Sequence, residues 1–247
     1  MISIRHSPAT RQNDAVQEVP ARSGESNRQW LSRVGATEGI VLLGGSSVAH
    51  FRIRVAQSHV RQDLSPALWS LTGILVDQNT LLSVPLDWRG DASEIPRTNG
   101  VQTSALDRYD DAERFPNIAV LRFATATAPI RAHAERVQAQ RSVIDLPSLM
   151  VPWLAYIWSA GEAGNPLLAG HGLPCAVFVE TVYGIAGIEL TPGLSSTSSC
   201  PEAIWQAARW WHEFYAETPA TGRGERVGPI VPTGQFALRQ RAAAVAA

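Results

Sequence analysis

The segment that says most about the fold is Gly172-Leu173-Pro174-Cys175-Ala176-Val177-Phe178-Val179-Glu180. Proline is favoured at the first position of a helix and an apolar run follows it here, so the segment predicts a helix that begins at Pro174. Cys175 then lies in the first turn, where unpaired backbone N–H groups and the positive end of the helix dipole favour a thiolate. The same pattern is typical of inert cysteines, because free cysteine is among the most buried residue types. Cys175 is therefore the candidate chemical centre, with core packing as the alternative.

Around this segment, the chain alternates between short apolar runs and longer segments of helical composition. The predicted strands cover residues 39 to 43, 69 to 76, 80 to 86 and 118 to 123, and the predicted helices cover residues 27 to 33, 46 to 56, 130 to 141, 147 to 158, 174 to 184 and 201 to 215. Asp77-Gln78-Asn79 joins the second and third strands as a hairpin. Ser46 is the predicted cap of the second helix. These elements predict an α+β domain whose Cys175 helix packs across an antiparallel sheet.

The two ends of the chain differ in composition from the part between them. Residues 1 to 26 and 217 to 247 are interrupted by glycine and proline and show no periodicity, which is typical of disordered extensions. The predicted domain therefore spans residues 27 to 216. We expect its aromatic side chains in the core. They include Trp205, Trp210, Trp211 and Phe214 of the last helix, and also Trp153 and Trp158, for which a partner surface is the alternative.

Composition excludes several function classes. The 247 residues carry a net charge of −1 and no lysine, which excludes phosphate-binding-loop and Schiff-base mechanisms because both need a lysine ammonium group. The absence of a basic stripe predicts no nucleic-acid partner. No apolar run is long enough for a signal peptide or a membrane span, so we expect a cytoplasmic protein. Two cysteines form no disulfide framework, and no cofactor or metal is predicted.

The order of motifs resembles a known family. The stretches are TEGIVLLGGSSVAHFRIRV from residue 37, SPALWSLTGILVD from residue 65, GVQTSALDRYDD from residue 100, PNIAVLRF from residue 116 and GLPCAVFVETVYGIAGIELTPG from residue 172. Together they resemble the permuted NlpC-type, papain-like cysteine hydrolases of the YiiX-like group over about residues 36 to 216. The resemblance implies a papain-like fold and places the nucleophile at Cys175. It places the catalytic histidine at Leu71 and the third polar residue near Ser83.

Because leucine cannot accept a proton, another imidazole would have to serve as the base. His59 is the predicted substitute, since its loop precedes the strand that carries Leu71, whereas His50 and His171 are more typical of solvated surface residues. The leading hypothesis is a thiol hydrolase or acyltransferase that acts on an amide, peptide or ester bond of a small-molecule, peptide or lipid-type substrate. Its catalytic residues would be Cys175 and His59, and backbone N–H groups at the helix start would stabilise the oxyanion.

Two other hypotheses remain open at this stage. The first is a non-catalytic papain-like binding or structural module that has lost its histidine, with the two tails as candidate sites for a protein partner. The second is a zinc deaminase, because His133-Ala134-Glu135 and Pro174-Cys175 match half of the deaminase signature. Phe178 occupies the place of the second cysteine ligand, so the zinc would lack a ligand and bind poorly. The deaminase hypothesis is the weakest of the three.

Overall fold

The computed structural model describes residues 17 to 87, 98 to 123, 128 to 140, 143 to 217 and 234 to 239. Its α-helices are α1 (Asn27–Arg33), α2 (Val48–Ala56), α3 (Ala128–Ala139), α4 (Leu146–Ile157), α5 (Pro174–Ile185) and α6 (Pro201–Glu217). The sequence predicted all six helices to within a few residues at each end. None of the described helices is long and apolar enough to span a bilayer.

The strands form one sheet. They are β1 (Gln17–Glu18), β2 (Gly39–Gly44), β3 (Leu71–Asp77), β4 (Thr80–Ser83), β5 (Gln102–Ala105), β6 (Asn117–Phe123) and β7 (Gly234–Arg239). Their order is β1-β7-β6-β2-β3-β4-β5, and every neighbouring pair is antiparallel except the parallel pair of β1 and β7. The predicted α+β class with an antiparallel sheet is therefore confirmed.

The centre of the sheet is β2, which the sequence marks as an uninterrupted apolar run. Every residue of β2 is buried. Ile40 lies opposite Ile74 of β3 on one side and Leu121 of β6 on the other. A strand that is hydrogen-bonded on both edges and covered on both faces needs apolar side chains throughout, which explains the run. The predicted hairpin of β3 and β4 is also present, and Asp77 accepts a hydrogen bond from the Asn79 N–H in its turn (2.8 Å).

Three predictions of local structure need correction. The cap of α2 is Ser47, whose hydroxyl accepts a bond from the His50 N–H, while Ser46 instead donates its N–H to the Arg114 carbonyl (2.9 Å). The predicted N-terminal extension contains β1 and continues into Val19, whose carbonyl accepts a bond from the Trp30 indole (2.9 Å). The predicted C-terminal tail contains β7, which pairs with β6. The folded unit is thus wider than residues 27 to 216 at both ends.

Helix α5 packs against β3 and β4, and α3, α4 and α6 pack against α5. Its residues from Pro174 to Glu180 are all buried, as the apolar composition of the segment requires. Burial of a large apolar side chain such as Phe178 stabilises a fold by about 1.5–3 kcal/mol, so α5 is a main contributor to the core. The predicted packing of the Cys175 helix across the sheet is confirmed.

The tryptophans are distributed differently from the expectation. Trp205 is buried and lies edge-on to Trp69, with ring centroids 5.2 Å apart. Trp153 is buried too, and its indole N–H donates to the Gly172 carbonyl (2.9 Å). Trp158 and Trp210, by contrast, are exposed. Core packing is therefore wrong for these last two, and the side chains of residues 211 and 214, also predicted to be in the core, lie outside the described residues.

Candidate functional site around Cys175

The start of α5 is fixed by the backbone that precedes it. The N–H groups of Gly172 and Leu173 donate to the carbonyls of Thr197 and Ser199, each at 2.8 Å. Leu173 is in an extended conformation and Pro174 opens the helix, as the fixed φ of proline favours. Cys175 is consequently the second residue of α5. Its predicted position in the first turn is confirmed.

The surroundings of the thiol differ from those of a reactive cysteine. The Cys175 side chain is 1% exposed. Burial raises the pKa of this thiol to about 12, while the backbone N–H groups of Thr72 and Ala176 oppose the rise. The helix start therefore does favour the thiolate, but the loss of hydration outweighs it, because a charged sulfur in an apolar interior has too few partners.

Leu71 and Ser83 are integrated into the same region of the core. Leu71 opens β3 and is buried, and the peptide that joins it to Thr72 lies against the thiol. Ser83 is fully buried on β4, and its hydroxyl donates to the Thr72 carbonyl (2.6 Å). The structure thus brings the three positions together around Thr72. We call Cys175, Leu71, Thr72 and Ser83 the Cys175 cluster.

His59 is not part of this cluster. It lies in the 3-10 turn Ser58–Val60, is exposed, and its Nδ1 is 3.0 Å from the Ala56 carbonyl oxygen. Among the described residues, no hydrogen bond joins the Cys175 sulfur to an imidazole nitrogen. The role of His59 as a base stays a prediction that would require a change of conformation. His171 is exposed as expected.

His50 contradicts the expectation of a surface residue. It is buried on α2, edge-on to Phe115 with ring centroids 5.3 Å apart, and its Nδ1 has no hydrogen-bond partner among the residues that the structure describes. Burial lowers the pKa of His50, although the charge of Asp87 opposes this effect. The sequence signal was Gly45, since a Cβ atom at that position would overlap the imidazole ring. His50 is therefore a core residue, and its burial disfavours the charged imidazolium.

Two buried carboxyl groups were not anticipated from the sequence. Glu180 accepts hydrogen bonds from the hydroxyls of Thr191 (2.6 Å) and Ser199 (2.9 Å). Glu202 accepts bonds from Gln206 (2.7 Å) and Arg61 (3.3 Å). Burial raises the pKa of both carboxyls, and their hydrogen bonds oppose the rise. Glu180 therefore ties the segment of Thr191 and Ser199 to α5, the helix that carries Cys175.

The residues that match the deaminase signature lie on two different helices, α3 and α5. Glu135 on α3 is exposed and pairs with Arg131 (3.0 Å), one turn earlier in the helix. Phe178 is part of the buried face of α5. Within the described residues, no group of three or more His, Cys, Asp or Glu side chains is arranged to hold a metal ion. Nothing in the described geometry supports the deaminase hypothesis.

Comparison with known proteins identifies no relative: no family model matches the chain, and neither a curated protein nor a solved structure matches it significantly.

Proposed function

We propose that the protein is a non-catalytic papain-like module of the permuted NlpC type, in which Cys175 is a core residue rather than a nucleophile. The observation that carries this proposal is the burial of Cys175, which is only 1% exposed. A cysteine hydrolase must present its sulfur to the substrate at the surface of a cleft.

The chemistry of the cluster supports the same conclusion. A thiol with a pKa of about 12 is ionised in only about one molecule in 10⁵ at pH 7, so the attacking species is nearly absent. Leu71 cannot take the proton from the thiol or return it to the leaving group, and such proton transfer contributes roughly 10²- to 10⁴-fold in rate. Ser83 can accept a hydrogen bond, but it is a neutral hydroxyl whose proton is donated to the Thr72 carbonyl, so it supplies no charge to stabilise an imidazolium.

A second candidate function is hydrolysis of an amide, peptide or ester bond, with Cys175 as nucleophile and His59 as base. One observation favours it: the backbone N–H groups of Thr72 and Ala176 converge on the sulfur. Donors in this arrangement can stabilise a thiolate or an oxyanion. This function requires that the core opens above Cys175 and that His59 leaves the Ala56 carbonyl.

Thiol labelling separates the two candidates. In a Cys200→Ala background, Cys175 is the only thiol, and its reaction with iodoacetamide can be followed by mass spectrometry between about pH 6 and pH 8. We expect negligible labelling of the folded protein and complete labelling in urea. Labelling of the folded protein near pH 6 at or above the rate of free cysteine would support the hydrolase and end the core-residue proposal.

A separate experiment tests whether position 71 corresponds to the catalytic histidine of papain-like hydrolases. In the same Cys200→Ala background, we compare Leu71→His with Leu71→Gln, which is polar but transfers no proton at neutral pH. The readout is the ultraviolet absorbance of the thiolate as a function of pH, which needs no access for a reagent. A lower pKa of Cys175 in Leu71→His than in Leu71→Gln is the expected result, because an imidazolium near the sulfur stabilises the thiolate. Equal values would remove the support for a papain-like arrangement.

A further inference from the structure

The turn before α2 is joined to the segment that precedes β6. The Ser46 N–H donates to the Arg114 carbonyl (2.9 Å), and the Ser46 hydroxyl donates to the same carbonyl (3.2 Å). The His50 ring contacts both sides of this junction, since it lies against Gly45 and is edge-on to Phe115. We call Gly45, Ser46, His50, Arg114 and Phe115 the His50 junction.

The site of the imidazole does not suit a second ring proton. His50 is 8% exposed, and its Nδ1 is buried without a hydrogen-bond partner among the described residues. In an imidazolium both ring nitrogens carry a proton, so Nδ1 would become a charged donor without an acceptor. A buried charged group in that state is strongly unfavourable. Proton uptake by His50 therefore opposes the packing of its ring.

The charged side chains near the ring add to this effect. Burial lowers the pKa of His50, the charge of Asp87 opposes the shift, and the charges of Arg114, Arg108 and Arg54 add to it. Asp87, which follows β4, is already engaged, because Arg108 Nη2 donates to its Oδ1 (3.2 Å) and Arg114 Nη2 lies 3.9 Å from its Oδ2. An imidazolium would therefore compete with two arginines for one carboxylate.

The other titratable groups close to the junction do not supply an acceptor. Asp111 is exposed and accepts hydrogen bonds from the backbone N–H groups of Glu113 (2.8 Å) and Arg114 (3.2 Å). Glu113 is exposed as well, so water and salt screen its charge. At the far end of α2, His59 is exposed. Helix α4, which packs against α2, carries no charged side chain.

We propose that the His50 junction is a pH-sensitive switch, in which proton uptake by the imidazole releases the ring from Gly45 and Phe115 and separates the start of α2 from the segment before β6. The proton comes from solvent, and the released imidazolium gains the hydration that the buried site denies it. The inference is independent of Cys175 and of the function proposed above.

The direction of the pH dependence follows from linkage. The pKa of His50 in the closed junction is lowered from its ordinary value of 6.5, so the open junction binds the proton more tightly. The junction should stay closed above that value. It should lose stability as pH falls from there through the lowered pKa.

Hydrogen–deuterium exchange of the full chain, followed by mass spectrometry at about pH 7.5 and about pH 5.5, tests the proposal. After correction for the intrinsic effect of pH on exchange, the protection of residues 45 to 51 and 113 to 118 should fall severalfold at the lower pH. Residues 174 to 180 of α5 should remain protected, because they lie outside the junction.

Two variants without a titratable ring isolate the contribution of His50. His50→Leu fills the apolar site and takes up no proton, so the loss of protection at low pH should disappear. His50→Gln gives the same comparison with a polar side chain, should the leucine variant fail to fold. The matched control is His171→Gln, which removes an exposed histidine and should keep the wild-type response.

Three results would overturn the proposal. The first is an equal loss of protection in the wild-type protein and in the His50 variants. The second is a loss that is spread evenly over the chain, because the junction would then not open on its own. The third needs no variant: a nuclear magnetic resonance titration in which the His50 imidazole of the folded wild-type protein is protonated at or above about pH 6.5, because the buried site would then accept an imidazolium.

Discussion

Replacement of Cys175 measures whether this residue belongs to the core. In Cys175→Ala, the sulfur is removed from a site where the side chain is 1% exposed and packed by the apolar residues of α5 and β3. The lost transfer free energy is about that of one methylene group, near 0.8 kcal/mol, and the cavity adds to it, for a total of about 1–2 kcal/mol. Cys175→Ser avoids most of the cavity, but its hydroxyl proton needs an acceptor in an apolar site, at a cost of about 1–3 kcal/mol.

Urea denaturation followed by tryptophan fluorescence gives the free energy of unfolding of each variant. Both should have lower midpoints than the wild-type protein with unchanged slopes, because the surface exposed on unfolding does not change. Ser196→Ala, on an exposed 3-10 turn, should stay within about 0.5 kcal/mol of wild type and serves as the control. An active-site nucleophile in an open cleft gives the opposite pattern. If both Cys175 variants unfold at or above the wild-type midpoint, the assignment of Cys175 to the core is wrong.

Two further changes test the segment of residues 191 to 199, which is hydrogen-bonded to α5 and to the backbone that precedes it. Because burial raises the folded-state pKa of Glu180 above its unfolded value near 4.5, the stability that this carboxyl contributes is lost as pH rises from the unfolded pKa through the folded-state pKa. Glu180→Gln keeps an acceptor for Thr191 without that charge and should gain free energy of unfolding relative to wild type as pH rises through this window. Glu162→Gln, at an exposed position after α4, serves as the control in the pH-dependent urea titrations. In Gly172→Ala, the Cβ atom would lie 2.6 Å from the nearest carbonyl oxygen of this segment, so thermal unfolding should show a loss of about 1–3 kcal/mol in the free energy of unfolding. The control is Gly164→Ala, which should be neutral because no atom lies within 4 Å of its Cβ. Equal losses in the two variants would refute the close contact at Gly172.

The elements that sequence predicted well are those with a strong local signal. A continuous apolar run marks β2 as a central strand, and Pro174 followed by apolar residues marks the start of α5. The hairpin of β3 and β4 has a turn of Asp, Gln and Asn between two β-rich segments. In each case the residues that determine the structure are close together in the chain, so their pattern is legible without tertiary contacts.

The elements that sequence missed depend on distant partners. Strand β5 is Gln102–Ala105, whose polar composition gives no alternating pattern; it is a strand because β4 offers a free edge. Strand β7 is stabilised by pairing with β6, across a separation of more than a hundred residues. The burial of His50 likewise depends on the space that Gly45 leaves and on the ring of Phe115. No local window contains these contacts.

The pKa of the Cys175 thiol depends both on local structure and on contacts that are distant in the chain. Its position in the first turn of α5 is a local property, and the sequence predicted it, together with the tendency of that turn to favour a thiolate. The opposing effect is the burial of the thiol where α5 packs against β3 and β4, and this effect is the larger one.

The leucine at position 71 and the burial of the thiol explain each other. A charged imidazole at this buried position would depend on the thiolate for its counter-charge, because Ser83 is a neutral hydroxyl whose proton is donated to the Thr72 carbonyl. Leucine removes that requirement and allows the core to close over the sulfur. Once the core is closed, the thiol loses its hydration, and the backbone N–H groups that would lower its pKa are no longer sufficient. Under the proposed papain-like arrangement, the positions of the nucleophile, the histidine and the third polar residue are therefore all core residues. Loss of the imidazole and burial of the thiol are then one physical change.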